Sequence, residues 1–401
     1  MKILFITTSN LATNPRLLKE VRLAIDKGFT VTVICFSFNN WSKQINDELI
    51  SELSGKADIH TISMRSASSF SWINASIIER TGRIFGKLHS SPRLAAISNK
   101  RSLLLLQALN YFHKHTFDFV VAHNPGALYP AWRFARKKGI PYCFDIEDYH
   151  PGETASGAEA DKIRSVMRYY LRDAAYLSAA SPLILQHTLE DIGDFTHPAI
   201  VVHNFFPTGE FIPPKPDYNN PKLKIIWFSQ NINHGRGLEE IAAILPQFDD
   251  RVELHLIGNL NADYYEKYLK GIGSIKILSP VAQKQLHHEL ASYDVGLAIE
   301  PSKDLNNELA VSNKLNAYIQ GGVYVLASDT KGQRQHMMDH QVSGELVNLK
   351  SKPALTAFFN QAIQQKDQLR QSMADRFEKQ KKYSWETEAE KLLQVWTRIV
   401  L

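Results

Sequence analysis

Five short strings in this 401-residue chain hold side chains suited to chemistry, and each follows an apolar run. In SQNINHGRG, which begins at Ser229, Gly235 and Gly237 flank Arg236. Such a loop brings backbone N–H groups and a guanidinium to one point, which suits a diphosphate; an ordinary turn with a solvated arginine fits the string equally. In VSNKLNAYIQGG, apolar Leu315, Tyr318 and Ile319 mark one face of a short helix that begins at Ser312, Asn313 and Lys314. Ser312 can cap that helix, and a helix start with a lysine beside it can hold a phosphate. Arg236 and Lys314 could therefore grip one anion. In the first half, AHNPGALYP places His123 and Asn124 at a strand end, and FDIEDYHPGE places Asp145, Glu147, Asp148 and Glu153 after another. The histidine is either a core residue or a ligand contact. The acids either cap the next helix or bind hydroxyls and take a proton. SNLATNPR supplies Asn10, Thr13, Asn14 and Arg16 after the first strand.

The elements that must position these strings alternate. KILFIT, TVTVICF, FDFVVAH, IPYCFD, YLSAAS and AIVVHN read as strands in the first half, with RLLKEVRLAIDKG a helix stopped by Gly28 and another helix around Leu128 to Lys138. KIIWFS, RVELHLIG, IKILSP, VGLAIE, VYVLAS and GELVNL repeat the pattern in the second half. Strands apolar throughout and separated by helices indicate parallel sheets covered on both faces. The stretch FFPTGEFIPPKPDYNNPKLK, with five prolines, divides the halves. The expected architecture is α/β, with two Rossmann-like doubly wound domains. The first spans 1–205 with a helix from 384–401 returning to it, and the second spans 206–383. Ligands bind at the carboxyl ends of strands in such sheets, so a cleft between the domains is the expected site.

Composition narrows the class. Hydrophobic content of 44% and charged content of 22% are those of a globular protein, and the net charge of +5 is mild. It suits anionic small molecules or a membrane surface and gives no indication of nucleic acid. Cys35 and Cys143 sit in apolar runs and read as small core residues in a reduced, cytosolic protein. No apolar run reaches membrane-spanning length. There is no G-x-G-x-x-G after a strand, no P-loop, no G-x-S-x-G, no Cys/His cluster with zinc spacing and no D-x-D, so no metal site is expected. Residues 65–101 carry Arg65, Arg80, Arg83, Lys87, Arg93, Lys100 and Arg101 against one acid, Glu79, with Trp72, Ile73, Ile77, Ile78, Ile84, Phe85 and Leu88 interleaved. This segment reads either as peripheral contact with an anionic membrane, at the inner face of the plasma membrane, or as a solvated helix pair beside an acceptor pocket.

Together these strings resemble the GT-B glycosyltransferases, and locally the retaining family-four group of bacterial polysaccharide and lipid-linked glycan synthesis. The likeness runs through NPRLLKEVRLAIDKGFTVTVI, VVAHNPGALYPA, FDIEDYHPGE, VVHNFFP, HGRGLEE, YDVGLAIEP, SNKLNAYIQGGVYVLASD and YSWETEAEKL. It implies a metal-independent retaining transferase. Such an enzyme moves a hexosyl-type sugar from a UDP-, GDP- or other nucleotide sugar to a surface polysaccharide or lipid-linked glycan, with no further cofactor. It implies that Arg236 and Lys314 hold the donor diphosphate, with Ser229, Gly235, Gly237, Ser312 and Asn313 around it. His123 would contact the donor sugar, and Asn10, Thr13, Asn14, Arg16, Asp145, Glu147 and Asp148 would lie on the acceptor side.

The chain departs from the family pattern. The glutamate expected to bind the donor ribose falls on Ala317, its partner on Leu309, the following proline on Tyr324, and a first phosphate-loop basic residue on Gln230. Glu147 replaces a usual histidine. Ribose recognition then passes to Glu300, Glu308 or Asn316, or the nucleotide is held differently. Two other readings follow: a catalytically degenerate GT-B protein acting as a binding or partner subunit, and another GT-B enzyme such as a nucleotide-sugar epimerase.

Overall fold

The computed structural model of the chain describes residues 1–63, 70–84, 91–97 and 99–400. Two compact units form. One comprises Met1–Val202 with Ala389–Leu401, and the other comprises His203–Glu388.

The first unit is built on a seven-stranded sheet in the order β3-β2-β1-β4-β5-β6-β7. The strands are β1 (Lys2–Thr7), β2 (Thr30–Ser37), β3 (Asp58–Ser63), β4 (Phe119–His123), β5 (Tyr142–Ile146), β6 (Leu177–Ala179) and β7 (Ala199–Val201). Every pairing is parallel. Parallel strands need helical crossovers, which cover both faces, and β1, β4 and β5 are accordingly buried almost throughout. The chain order reverses between β1 and β4, where Thr7 lies beside His123. That is the switch point at which such sheets bind ligands.

Local rules start the helices. Asn14 accepts from the Leu17 N–H at 3.0 Å, Pro15 follows it, and the helix Pro15–Asp26 begins there. The helix Pro125–Lys138 begins three residues earlier than its apolar spacing suggests, because Pro125 occupies its first position and tertiary packing extends it. Gly126 is required in that first turn, since a Cβ there would stand 2.9 Å from Thr8 Cγ2. The helix Trp385–Val400 brings Trp396 into the first core. That indole is fully buried, with Phe5 and Phe119 at 6.1 and 6.2 Å between ring centres, and its N–H donates to Tyr176 Oη at 2.8 Å.

The second unit holds six parallel strands in the order β10-β9-β8-β11-β12-β13. These are β8 (Leu223–Ile232), β9 (Val252–Leu260), β10 (Ile275–Leu278), β11 (Val295–Ala298), β12 (Tyr324–Ser328) and β13 (Gly344–Val347). Its switch point lies between β8 and β11. The proline-containing stretch after β7 is pinned to this unit: the Gln320 amide exchanges two 2.8 Å hydrogen bonds with the Phe206 backbone, and the Lys215 N–H donates to Ala291 O at 2.7 Å.

Cys35 and Cys143 are free and buried. Among the described residues no helix is long and apolar enough to cross a membrane. Of the basic segment, Arg65, Phe85, Lys87 and Leu88 lie outside the described residues. Ile73, Ile77 and Ile78 of the helix Phe70–Ile84 are exposed.

Replacing Trp396 with Ala should destabilise the chain by about 3–5 kcal/mol, through the cavity it leaves. W396F, which keeps an aromatic ring but orphans the Tyr176 hydroxyl, should lose about 1–3 kcal/mol. Chemical denaturation followed by circular dichroism measures both, and an unchanged W396A midpoint would show that the indole does not anchor this core.

Candidate active site

In the first unit the strand-end strings meet below the surface. Arg16, on the first turn of its helix, makes a fork with Asp145 (Nε to Oδ2 2.7 Å, Nη2 to Oδ1 2.5 Å) and donates to Val202 O at 2.7 Å. Ser178 Oγ donates to Asp145 Oδ1 at 2.6 Å. The His123 ring lies between two carboxylates, with Nε2 3.5 Å from Glu20 and Nδ1 3.6 Å from Asp145. Arg16, Glu20, His123 and Asp145 are each no more than 3% exposed. Burial alone would raise the Asp145 carboxyl, but the Arg16 guanidinium overrides it and holds the group below the usual carboxylate range. Burial likewise pulls the His123 imidazole down, and Glu20, followed by Asp145, more than offsets this, so the net direction is up. Burial raises Glu20.

Glu20 was not among the sequence candidates. The signal was present: Arg16 and Glu20 are four residues apart on an otherwise apolar helix face. Ser178, inside an apolar strand, carried no such signal.

Next to His123, Asn124 adopts φ 69° and ψ 144°, a conformation that a non-glycine residue holds only under constraint. Its Oδ1 accepts from Thr7 Oγ1 at 2.6 Å across the switch point. Asn10 and Asn14 are buried and used by their own loop. Asn10 accepts from the Thr13 N–H at 2.9 Å and donates to Ser42 Oγ at 2.7 Å, while Asn14 caps its helix. Thr13 is exposed. Glu147 and Asp148 are half-buried beside this cluster, and burial, together with the Asp148 charge, pushes the Glu147 carboxyl up to about 7. A group that titrates there can hold or release a proton near neutral pH.

In the second unit three of the candidates, Glu300, Lys314 and Ser312, meet. Glu300 follows β11, and its Oε1 accepts from Lys314 Nζ at 2.5 Å and from Ser312 Oγ at 2.9 Å. Burial would raise this carboxyl, but Lys314, then Ser312 and Arg236, together lower it, so it stays ionised. Lys314 is buried, with Nζ 5.6 Å from the Trp227 ring centre, and Ser312 caps the helix Asn313–Gln320. Asn316 Oδ1 is buried without a hydrogen-bond partner. Arg236 is exposed, between Gly235 (φ 71°) and Gly237 (φ 79°). Only glycine suits position 237, since a Cβ would also stand 3.1 Å from Leu349. Gly235 N–H donates to Glu239 at 2.9 Å, closing the loop. Ser229 lies at a register irregularity of β8 between Phe228 and Asn231, a common device for re-aiming side chains at a site.

Asn313 is exposed at the helix start. Glu308 is engaged elsewhere. It accepts from Ser302 Oγ and from the Lys331 N–H at 3.1 Å, at the start of the helix Lys331–Asp339. Ala317 is fully buried in the core with Leu315, Tyr318 and Ile319.

Among the described residues two groups of three could share a cation: Glu20, His123 and Asp145 in the first unit, and His203, His336 and His340 in the second. In the first group the Arg16 guanidinium already occupies both Asp145 oxygens and would repel a metal ion.

Residues 78–204 match the glycosyl transferase 4-like domain family. No curated protein sequence matches the chain. Solved structures do. HepE of Anabaena, in complex with UDP and glucose, is 15% identical with a TM-score of 0.67, covering 99% of this chain and 100% of that one. Sucrose-phosphate synthase of Thermosynechococcus elongatus is 12% identical with a TM-score of 0.67, covering 100% and 99%. A point mutant of the S. aureus protein TarM, in complex with fondaparinux, α-GlcNAc-glycerol and UDP, is 12% identical with a TM-score of 0.65, covering all of both chains. The fold is thus that of the GT-B glycosyltransferases, with two Rossmann-like units. The region that matches the glycosyl transferase 4-like domain family ends where the second unit begins.

Because burial raises Glu147 in the folded chain, its contribution to stability is fully present below its ordinary value of 4.5 and is lost as pH rises through about 7. E147Q should therefore gain melting temperature relative to the parent between about pH 5 and about pH 8. An equal difference at both pH values would show that this carboxyl titrates normally.

Proposed function

We propose that the chain is a retaining glycosyltransferase that moves a hexosyl-type sugar from a nucleotide diphosphate sugar to a bacterial surface polysaccharide or lipid-linked glycan, without a catalytic metal or resident cofactor. The observation that carries this reading is the contact of Lys314 and Ser312 with Glu300, whose carboxyl the Arg236 charge also helps to lower, at the switch point of the second sheet. Lys314 gives one ammonium hydrogen to Glu300 and has two more to offer. Arg236 adds a second cation, and the start of the Asn313–Gln320 helix adds a partial positive charge. A diphosphate matches that charge. HepE with UDP and TarM with UDP support the choice of donor, and a WaaB structure described as a lipopolysaccharide outer core galactosyltransferase supports the class of acceptor.

In this reading the sugar C1–O bond to the diphosphate breaks as the acceptor hydroxyl bonds to C1 on the same face. The hydroxyl proton passes to the departing phosphate, whose charge Arg236 and Lys314 stabilise. Glu300, beside them, takes the hydroxyl-binding role that Ala317 cannot fill. Glu147 and Asp148, half-buried after β5, serve the acceptor, while the buried His123 and Asp145 brace the strand ends behind them.

Thermal shift with UDP, GDP and other nucleoside diphosphates tests the reading. A nucleotide at about a hundred times its Kd should stabilise the chain by about 2.7 kcal/mol. R236A and K314A should abolish the shift and lower kcat/KM by about a hundredfold or more. A partner subunit without catalysis would instead show no shift with any donor and no transfer.

The exposed Ile73, Ile77 and Ile78, with Arg80 and Arg93 also exposed, support peripheral contact with an anionic lipid surface. The full chain should float with phosphatidylserine vesicles at low salt and be released by high salt; failure to float at low salt removes that contact.

A further inference from the structure

His203 opens the second unit, and His336 and His340 lie on the helix Lys331–Asp339 and at its C-cap. The four-residue spacing of the latter two puts both rings on one helical face. The three rings close on one another, with centroids 4.1 Å apart for His336–His340, 4.9 Å for His203–His340 and 5.1 Å for His203–His336. One nitrogen from each lies within 4.8 Å of the others. Around a tetrahedral zinc with bonds of about 2.0–2.1 Å the nitrogens stand roughly 3.3 Å apart, a gap that small rotations of the imidazoles can close.

Two observations separate this cluster from an aromatic stack. His336 is 1% exposed, and neither of its ring nitrogens has a hydrogen-bond partner. A buried polar ring left unsatisfied at both ends is costly and is rare without a purpose. Second, His340 Nδ1 lies 2.9 Å from the His336 carbonyl oxygen. A carbonyl can only accept, so Nδ1 carries a proton and Nε2 is the nitrogen that would ligate. Metal-bound histidines are commonly oriented in this way, with the second ring nitrogen donating to a backbone carbonyl. Phe205 at 5.4 Å and Tyr383 at 4.5 Å from the His340 ring wall the cluster with apolar surface. The His203 N–H donates to Glu388 at 2.8 Å, which brings a buried carboxylate to the edge of the group.

We infer that His203, His336 and His340 form a binding site for one divalent transition-metal ion of the zinc class, three imidazoles completing all but one position of a tetrahedron. Borderline nitrogen ligands select zinc, cobalt or nickel over magnesium or calcium. The ion would tie the segment through which the chain enters the second unit to the helix Lys331–Asp339. Sequence spacing alone gave no zinc pattern, because the third ligand stands 133 residues before the second.

The test uses the full chain, stripped with chelator and titrated with zinc chloride and cobalt(II) chloride. One equivalent of zinc should bind and raise the melting temperature, and cobalt should give the intense visible bands of a tetrahedral nitrogen site. H336Q should weaken zinc binding by at least about 100-fold, the upper end of what losing a supporting residue costs. H203Q and H340Q, nearer the rim, should do the same and guard against misfolding of the H336Q variant. Absence of the cobalt bands in the parent chain overturns the site. So does equal zinc binding by the parent and by H203Q/H336Q/H340Q, which would assign the metal to exposed histidines.

Discussion

The buried fork between Arg16 and Asp145 is the interaction on which the first unit turns. One guanidinium holds the helix after β1, the end of β5 and, through Val202 O, the end of β7, while Ser178 of β6 holds the same carboxylate. Three strand ends and a helix start are thereby locked at one depth. Neither charge could stand alone there: losing one partner of such a pair costs about 3–5 kcal/mol because the other stays buried. The same fork fixes His123, whose Nδ1 faces Asp145, and so ties the orientation of the imidazole to the position of the first helix. The constrained Asn124 backbone follows directly on that histidine, where the surrounding structure is rigid enough to sustain it.

Much of the fold was legible because buried parallel strands are apolar along their whole length. All six strands of the second sheet announce themselves this way, and so do six of the seven in the first. β3, DIHTIS, does not. It is an edge strand, only half-buried and alternating with polar residues, so no apolar run marks it. The functional strings were legible as strings, since polar clusters after apolar runs land at strand ends. Their pairings were not. That Lys314 seeks Glu300, that Arg16 takes Asp145, and that Glu20 lies beside His123 are decisions of tertiary packing. Asn10 and Asn14 illustrate the cost of reading types without partners: both lie in the predicted loop, yet their side chains are spent on shaping it.

Ala317 has a physical reading that the spacing alone withheld. The side chains of Leu315, Ala317, Tyr318 and Ile319 all enter the apolar core of the second unit, and Ala317 is fully buried among them. A carboxylate at that position would have to reach water or a ligand past these neighbours. In this chain the nearby carboxylate comes instead from Glu300, on the strand side, already ionised and already engaged with Lys314.

The two switch points differ in charge. In the first unit the guanidinium of Arg16 is matched by Asp145, and the imidazole of His123 by Glu20, so the buried cluster is electrically closed and a further ion of either sign would break a pair. In the second, Lys314 is paired with Glu300, the exposed Arg236 adds its charge to the same carboxyl's surroundings, and the positive end of the Asn313–Gln320 helix adjoins them. An excess cation at a partly exposed strand end is held in place at a cost unless an anion completes it. In the transferase reading proposed above, the anionic part of the donor therefore goes to the second unit. The first, whose charges are spent internally, is left to offer the half-buried Glu147 and Asp148, groups suited to hydroxyls and protons rather than to phosphate.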